Sequence, residues 1–181
     1  LGDDTMAETP LRKIDDLLDL ADKARKLGHM VTTDVDSERV DIASLLNSEI
    51  DRIGDVYSGA SFVCETEGDL TTAVLPCFQQ ALLELIENAA EHGGETLYVS
   101  VTGTAIGPDI VIDIADDRPG LPDHEAAVFE SGTETPLIHG SGLGLWLAYW
   151  IVMIHGGTIE ATTDTDGTTV TITIPRTTQL Y

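Results

Sequence analysis

Three groups of residues in this sequence have types and spacings that could do chemistry. In LLELIENAAEHG, Glu84, Asn88 and Glu91 fall at i, i+4 and i+7, one polar stripe along a helix, with His92 beside it. A carboxylate and an amide one turn apart both present oxygens, and together they can hold a hydrated divalent cation. The plainer alternative is a solvated helix face. Asparagine, however, is a poor helix-interior residue, and nothing in local propensity asks for it at position 88. In IVIDIADDRPGLP a strand runs into an acidic turn bearing Gly and Pro. A carboxylate at a strand end, here Asp116, can accept a hydrogen bond from an exocyclic amine such as that of adenine; an ordinary Asp-rich turn is the competing and plainer reading. In HGSGLGL, Gly140, Gly142 and Gly144 open a helix. Glycines let backbone N–H groups approach phosphate oxygens, and a helix N-terminus favours negative charge. Glycines that only let helices pack closely would look the same. No Gly-Lys-Ser/Thr follows, so this is not a Walker loop. The spacing, and the lack of a buried strand before it, also exclude the dinucleotide-binding fingerprint.

The elements that must position these residues can be read from periodicity. Leu75, Phe78, Leu82, Leu85, Ile86 and Ala89 follow the 3.6-residue period, so a helix is expected over 75–92, with Gly93-Gly94 ending it. Further helices are expected over 10–28, 42–53 and 143–155. Strands are expected at 40–42, 61–65, 96–102, 109–115, 158–162 and 168–174, the last two pairing as a hairpin around Asp166-Gly167. Residues 116–140 read as loop. Helices alternating with antiparallel hairpins predict an α/β two-layer sandwich, a mixed, mostly antiparallel sheet with helices on one face. Residues 1–39 read as an N-terminal segment and 40–181 as the main domain. The 10–28 helix carries Leu11, Ile14, Leu18 and Ala21 on one stripe and awaits a partner, a second copy of the chain among the candidates.

Composition narrows the classes. The chain has 181 residues, 42% of them hydrophobic, which excludes a disordered tail. Its longest apolar run, Leu143–Ile154, is too short to span a bilayer. The acidic N-terminus does not read as a secretory signal, so the expected location is cytoplasmic; beginning at Leu1, the sequence reads as a fragment. The net charge of −23 argues against general nucleic-acid binding, which needs cations to displace phosphate counterions. Acids are spread from Asp3 to Asp166 without a block, so they form a surface coat, read here as adaptation to high salt. Cys64 and Cys77, and histidines 29, 92, 124, 139 and 155, show no zinc-ligand spacing.

Taken in order, a cation-binding helix, a strand-end aspartate and a glycine-rich loop entering a helix make the chain resemble the GHKL ATPase family, specifically the ATP-binding catalytic domain of sensor histidine kinases. The resemblance covers about residues 40–175. LLELIENAAEHG resembles the family's asparagine box, DDRPGLP its first glycine box and HGSGLGLWLAYWIVMIHGGTIEA its second. Phe129 resembles the phenylalanine box, residues 130–139 a short ATP lid, and DGTTVTITIP the closing hairpin.

That resemblance implies the Bergerat fold, with ATP and Mg²⁺ as cofactors. It implies that Asn88 binds Mg²⁺ bridging the phosphates and that Glu84 sits beside that ion, where ATP-hydrolysing relatives use a glutamate to activate water. Asp116 would read the adenine amine and Gly120 would line its pocket. His92 would contact nucleotide, and Gly140, Gly142, Leu143 and Gly144 would wrap the phosphates. Two positions depart from the family pattern: Arg118 stands where glycine is usual, close enough to crowd the base or to reach a phosphate, and Glu91 where many kinases have lysine. The implied function is transfer of the γ-phosphoryl of Mg·ATP to a histidine on a separate dimerisation domain, with a response regulator as partner. None of the five histidines has the flanking residues of a phosphoacceptor, so the acceptor is expected outside this chain. Arg118 and Glu91 support a second reading, a protein-interaction module with a degenerate nucleotide site. Glu84 supports a third, a GHKL serine kinase or ATPase.

Overall fold

In DIVIDIAD the apolar residues alternate with polar ones, and a strand turns that period of two into one buried and one wetter face. Ile110, Ile112 and Ile114 are buried, while Val111, Asp113 and Ala115 are half-exposed. The computed structural model describes residues 36–91, 97–117, 142–163 and 167–178, all within a unit spanning Asp36–Tyr181. The helix expected over 10–28 lies outside the described residues.

The elements are β1 (Glu38–Asp41), α1 (Ile42–Val56), β2 (Ala60–Glu67), β3 (Thr71–Val74), α2 (Phe78–Glu91), β4 (Leu97–Ile106), β5 (Asp109–Asp116), α3 (Gly142–Ile154), β6 (Thr158–Thr163) and β7 (Thr168–Pro175). The main sheet has the order β2-β4-β5-β7-β6, with β2·β4 parallel and every other pair antiparallel. β1 and β3 form a separate antiparallel pair. The strand β3 was not expected from the sequence: its four residues are too short for a visible period, and they pair with β1, 30 residues away in sequence. Every expected element among the described residues is present, with ends shifted by up to four residues. The largest shift at a strand is in β4, which continues to Ile106 past Gly103. Gly103 has no Cβ because Leu46 and Leu70 methyl groups press against it, at 3.2 and 2.9 Å from where a Cβ would stand.

Val99, Val101, Ile112, Val170 and Ile172 present one face of this sheet to the helices, all 5% exposed or less. Onto it pack Leu46 and Ile53 of α1, Leu82, Leu85 and Ile86 of α2, and Leu145, Ala148 and Ile151 of α3. The opposite face carries Tyr98, Ser100, Thr102, Asp113, Thr171 and Thr173, and across it Thr171 Oγ1 donates to Asp113 Oδ1 at 2.6 Å. This is the expected two-layer α/β sandwich with helices on one face. No described helix is long and apolar enough to cross a membrane.

Helix starts are fixed locally. Asp41 caps α1, accepting from Ala43 N at 3.1 Å and Ser44 Oγ at 2.8 Å. At α2, Leu75, Pro76 and Cys77 form a turn that feeds the helix, with Phe78 N bonded to Leu75 O at 2.9 Å, so helical residues begin at Phe78 and not at Leu75.

Candidate nucleotide site

On α2 the buried stripe Leu82, Leu85, Ile86 and Ala89 fixes the rotation of the helix, and the polar line Gln80, Glu84, Asn88 is thereby turned along another side. Glu84 is not a solvated surface residue: it is only 7% exposed. Its Oε1 accepts from Gln80 Nε2 at 2.7 Å, while Oε2 stands where a Cβ of Gly144 would otherwise be. The first turn of α3 therefore lies directly on the carboxylate of α2, and the two helices pack along this seam. Asn88 is half-buried one turn beyond.

Asp116 ends β5 on the same face as Ile110, Ile112 and Ile114, in register with Val99 of β4 and Thr168 of β7. It is 8% exposed, so the last residue of a hydrophobic strand face is a buried carboxylate under the helix layer. Gly167 passes so close that a Cβ there would strike the Asp116 carbonyl oxygen, beside the pairing of Asp116 with Thr168 of β7. Next in chain, Asp117 Oδ1 accepts from Tyr98 N at 3.1 Å, and its own N–H donates to Tyr98 O at 3.3 Å. The two aspartates thus divide the work: Asp117 ties off the sheet, and Asp116 points its residue into the layer between sheet and helices.

The donor set suits a magnesium nucleotide. Mg²⁺ keeps several waters and takes one or two protein oxygens together with phosphates, in place of a closed protein cage. Glu84 and Asn88 offer such oxygens one turn apart, and among the described residues no three His, Cys, Asp or Glu side chains converge as a metal cluster. The backbone N–H groups of the first turn of α3 suit phosphate. Neither cysteine is primed as a nucleophile: burial raises both thiols, Cys77 to about 11.

His92, Arg118, Gly120, Phe129, residues 130–139 and Gly140 lie outside the described residues. So do the side chains of Glu91 and Leu143, although Glu91 closes α2 and Gly142 and Leu143 open α3.

Three partners of this region escaped the sequence reading. Gln80 extends the Glu84–Asn88 line by one turn toward the N-terminus, and the same i, i+4 count would have found it. Glu49 interrupts the apolar spacing of α1 at 1% exposure. Both its oxygens are engaged, Oε2 by Arg52 (Nη2 at 2.6 Å, Nε at 3.1 Å) and Oε1 by Gln79 Nε2 at 2.6 Å, which ties α1 to the start of α2. His155 follows α3 and is 2% exposed. Its Nε2 accepts from Leu75 N at 3.0 Å and its Nδ1 lies 2.6 Å from Ile151 O, so the ring is neutral with the proton on Nδ1. Burial pushes it below the usual histidine range. Phe78 packs on it at 5.0 Å between centroids. No sequence signal separated this structural histidine from the other four.

The profile of the histidine kinase-, DNA gyrase B-, and HSP90-like ATPases matches residues 75–178, which contain all of α2, β5 and α3. The sensor histidine kinase component HK1 of Mycobacterium tuberculosis is 32% identical over 141 residues, 74% of this chain and 81% of its own length. The sensor protein KdpD of Escherichia coli is 34% identical over 90 residues, 48% of this chain but only 10% of KdpD. The first four curated relatives are all much longer than the match, and this chain covers from 10% to 42% of their lengths. Among solved structures, the nucleotide-free catalytic domain of histidine kinase ThkA superposes with a TM-score of 0.69 at 23% identity, over 78% of this chain and 96% of that one. ThkA in complex with the response regulator TrrA gives 0.68 at 19% identity, over 97% and 53%. At these identities the structural likeness is one of fold.

Proposed function

The chain belongs to the histidine kinase-, DNA gyrase B-, and HSP90-like ATPase family as the ATP-binding domain of a sensor histidine kinase, and from that premise we propose that it transfers the γ-phosphoryl of Mg·ATP to a histidine carried on a separate phosphoacceptor domain. The observation that carries this reading is the seam between α2 and α3, where an oxygen-bearing line (Glu84, Asn88) meets the glycine-opened helix within the segment the family profile matches. A response regulator is the downstream partner, as in the complex of the structural relative ThkA, and the site of action is the cytoplasm. The kinase domain proper includes the whole of β1 (Glu38–Asp41), which pairs with β3, and the segment before that strand belongs with the dimerisation helices.

Each residue has a task. Asn88 and Glu84 would hold Mg²⁺ through their side-chain oxygens, and the ion would supply positive charge beside the terminal phosphates. Asp116 accepts a hydrogen bond from the adenine amine, selecting a base with a donor at that position. The N–H groups at the start of α3, from Gly142 through Gly144, take phosphate oxygens, with Gly140 and Leu143 completing the loop. Gly120 lines the base pocket, His92 contacts the nucleotide and Arg118 reaches a phosphate. Glu84 also orients a water beside the phosphates. Catalysis of this kind is mostly positioning and electrostatics.

The test is a calorimetric titration of ATP with Mg²⁺ at high KCl. Binding by the parent chain is expected, weakened at least about tenfold in both Asn88→Ala and Asp116→Asn, the loss of one charge-assisted contact each. Adding a histidine-bearing helical domain should put labelled phosphate on that domain, acid-labile and base-stable. A folded parent that binds no ATP overturns the reading. Label released only as inorganic phosphate would replace the kinase with an ATPase.

A further inference from the structure

Two adjacent glutamines open α2, and the structure gives them different work. Gln79 reaches across to α1 and donates to the buried Glu49. Gln80 reaches along its own helix and donates to Glu84 Oε1 at 2.7 Å. Gln79 is committed elsewhere, so Gln80 is the amide in position to hold Glu84 from this turn. The other Glu84 oxygen lies against Gly144, where only the absence of a side chain leaves it room. A glutamate has three side-chain torsions, and on an open helix face it would sample several rotamers. Here it is 7% exposed, with one oxygen on an amide donor and the other against Gly144 of a neighbouring helix.

We propose that Gln80 is a positioning residue for Glu84. By donating to Oε1 it fixes which carboxylate oxygen faces the α2–α3 seam, and so presents Oε2 to the cation and its waters at the start of the glycine helix. The inference rests on the nucleotide reading given above and extends it to a residue that itself touches neither nucleotide nor metal. The amide is the suitable group. A carboxylate at 80 would repel Glu84, and an apolar side chain would leave the buried oxygen without this donor.

The experiment is a double-mutant cycle in the 181-residue chain: parent, Gln80→Met, Glu84→Gln and the double variant. ATP affinity is measured by calorimetry with Mg²⁺ and with EDTA, and unfolding midpoints are taken alongside. Methionine keeps the length and packing of glutamine and removes its amide, the donor to Glu84 included. The expected result is that Gln80→Met weakens Mg·ATP binding about five- to tenfold, the size of one charge-assisted hydrogen bond. Binding in EDTA should be unchanged, and the loss should disappear in the Glu84→Gln background. Gln80→Glu should lose more than Gln80→Met. Equal losses in both backgrounds, equal losses with and without Mg²⁺, or no loss at all would each overturn the proposal while leaving ATP binding intact. No binding by the parent would overturn the nucleotide reading, and the proposal with it.

Discussion

Gly144 and Glu84 occupy one space: the position a Cβ of Gly144 would take is filled by Glu84 Oε2. The conflict is with the far end of a flexible side chain and not with backbone, so an added methyl would be accommodated by swinging the carboxylate aside. In Gly144→Ala the helix gains up to about 1 kcal/mol of propensity, which offsets the lost contact at Glu84. Thermal unfolding should therefore shift by only a few degrees, while Mg·ATP affinity falls by about tenfold as Glu84 leaves its Gln80-held position. Large destabilisation, or unchanged affinity, would refute this account of Gly144.

Gly157 makes the opposite case. A Cβ there would meet the Thr173 backbone oxygen, with Ile174 Cγ2 at 2.9 Å and Val152 Cγ1 at 3.0 Å. None of these can swing away, because they belong to β7 and to the packed face of α3. Gly157→Ala should cost about 1–3 kcal/mol in urea unfolding, the range seen for overpacking. ATP affinity at saturating fold should not change. The pair of substitutions separates a glycine needed for the site from one needed for the sheet.

His155 links stability to pH. Its Nε2 holds the Leu75 N–H just before α2, and protonation would convert that acceptor into a second donor facing an N–H. Burial lowers its folded-state pKa below the ordinary 6.5. The unfolded chain therefore binds the proton more readily than the folded one. The contribution of His155 is fully present above about pH 6.5 and is lost as pH falls from there toward the folded-state value. Between pH 7.5 and 5.5 the unfolding midpoint of the parent should drop more steeply than that of His155→Gln, which keeps an acceptor but does not titrate. Parallel curves would show that the acid sensitivity arises elsewhere.

The site and the sheet were legible in the sequence to different depths, for physical reasons. Asn88 and Asp116 stood out as candidates because each breaks a local rule, an amide inside a helix and a carboxylate at the end of an isoleucine face, and Glu84 came with Asn88 by its i, i+4 spacing. The two-layer architecture followed from periods of 2 and 3.6 in β5, β7 and α2. What stayed hidden depends on partners distant in the chain or on a single side-chain bond. β3 exists because it pairs with β1 and because Thr72 Oγ1 reaches the C-terminal backbone at Pro175 O, 103 residues on. Glu49 looks like any surface glutamate of an amphipathic helix until Gln79 of α2 is brought against it. Gln80 was within reach of the same stripe argument that found Asn88, yet glutamine is a good helix former and so raised no flag.

The acidic coat sets the conditions under which all these measurements should be made. Asp51, Asp55, Glu65, Glu67 and Glu160 are exposed on α1, β2 and β6, in a chain of net charge −23. Like charges at this density repel one another in the folded state more than in the expanded chain, so the folded state is the one that gains from screening. The Debye length falls from about 10 Å at 0.1 M salt to about 3 Å at 1 M, so the unfolding midpoint should climb steeply in KCl over the lower part of a 0.1 to 3 M range and flatten above it. Replacing Glu65 and Glu67 of the edge strand with glutamine should raise the midpoint at low salt and leave it unchanged at high salt. That dependence distinguishes relief of repulsion from a propensity effect of the new residues, which salt would not erase. A midpoint flat across the whole KCl range would refute the reading of this surface as an adaptation to high salt, whatever the nucleotide site does.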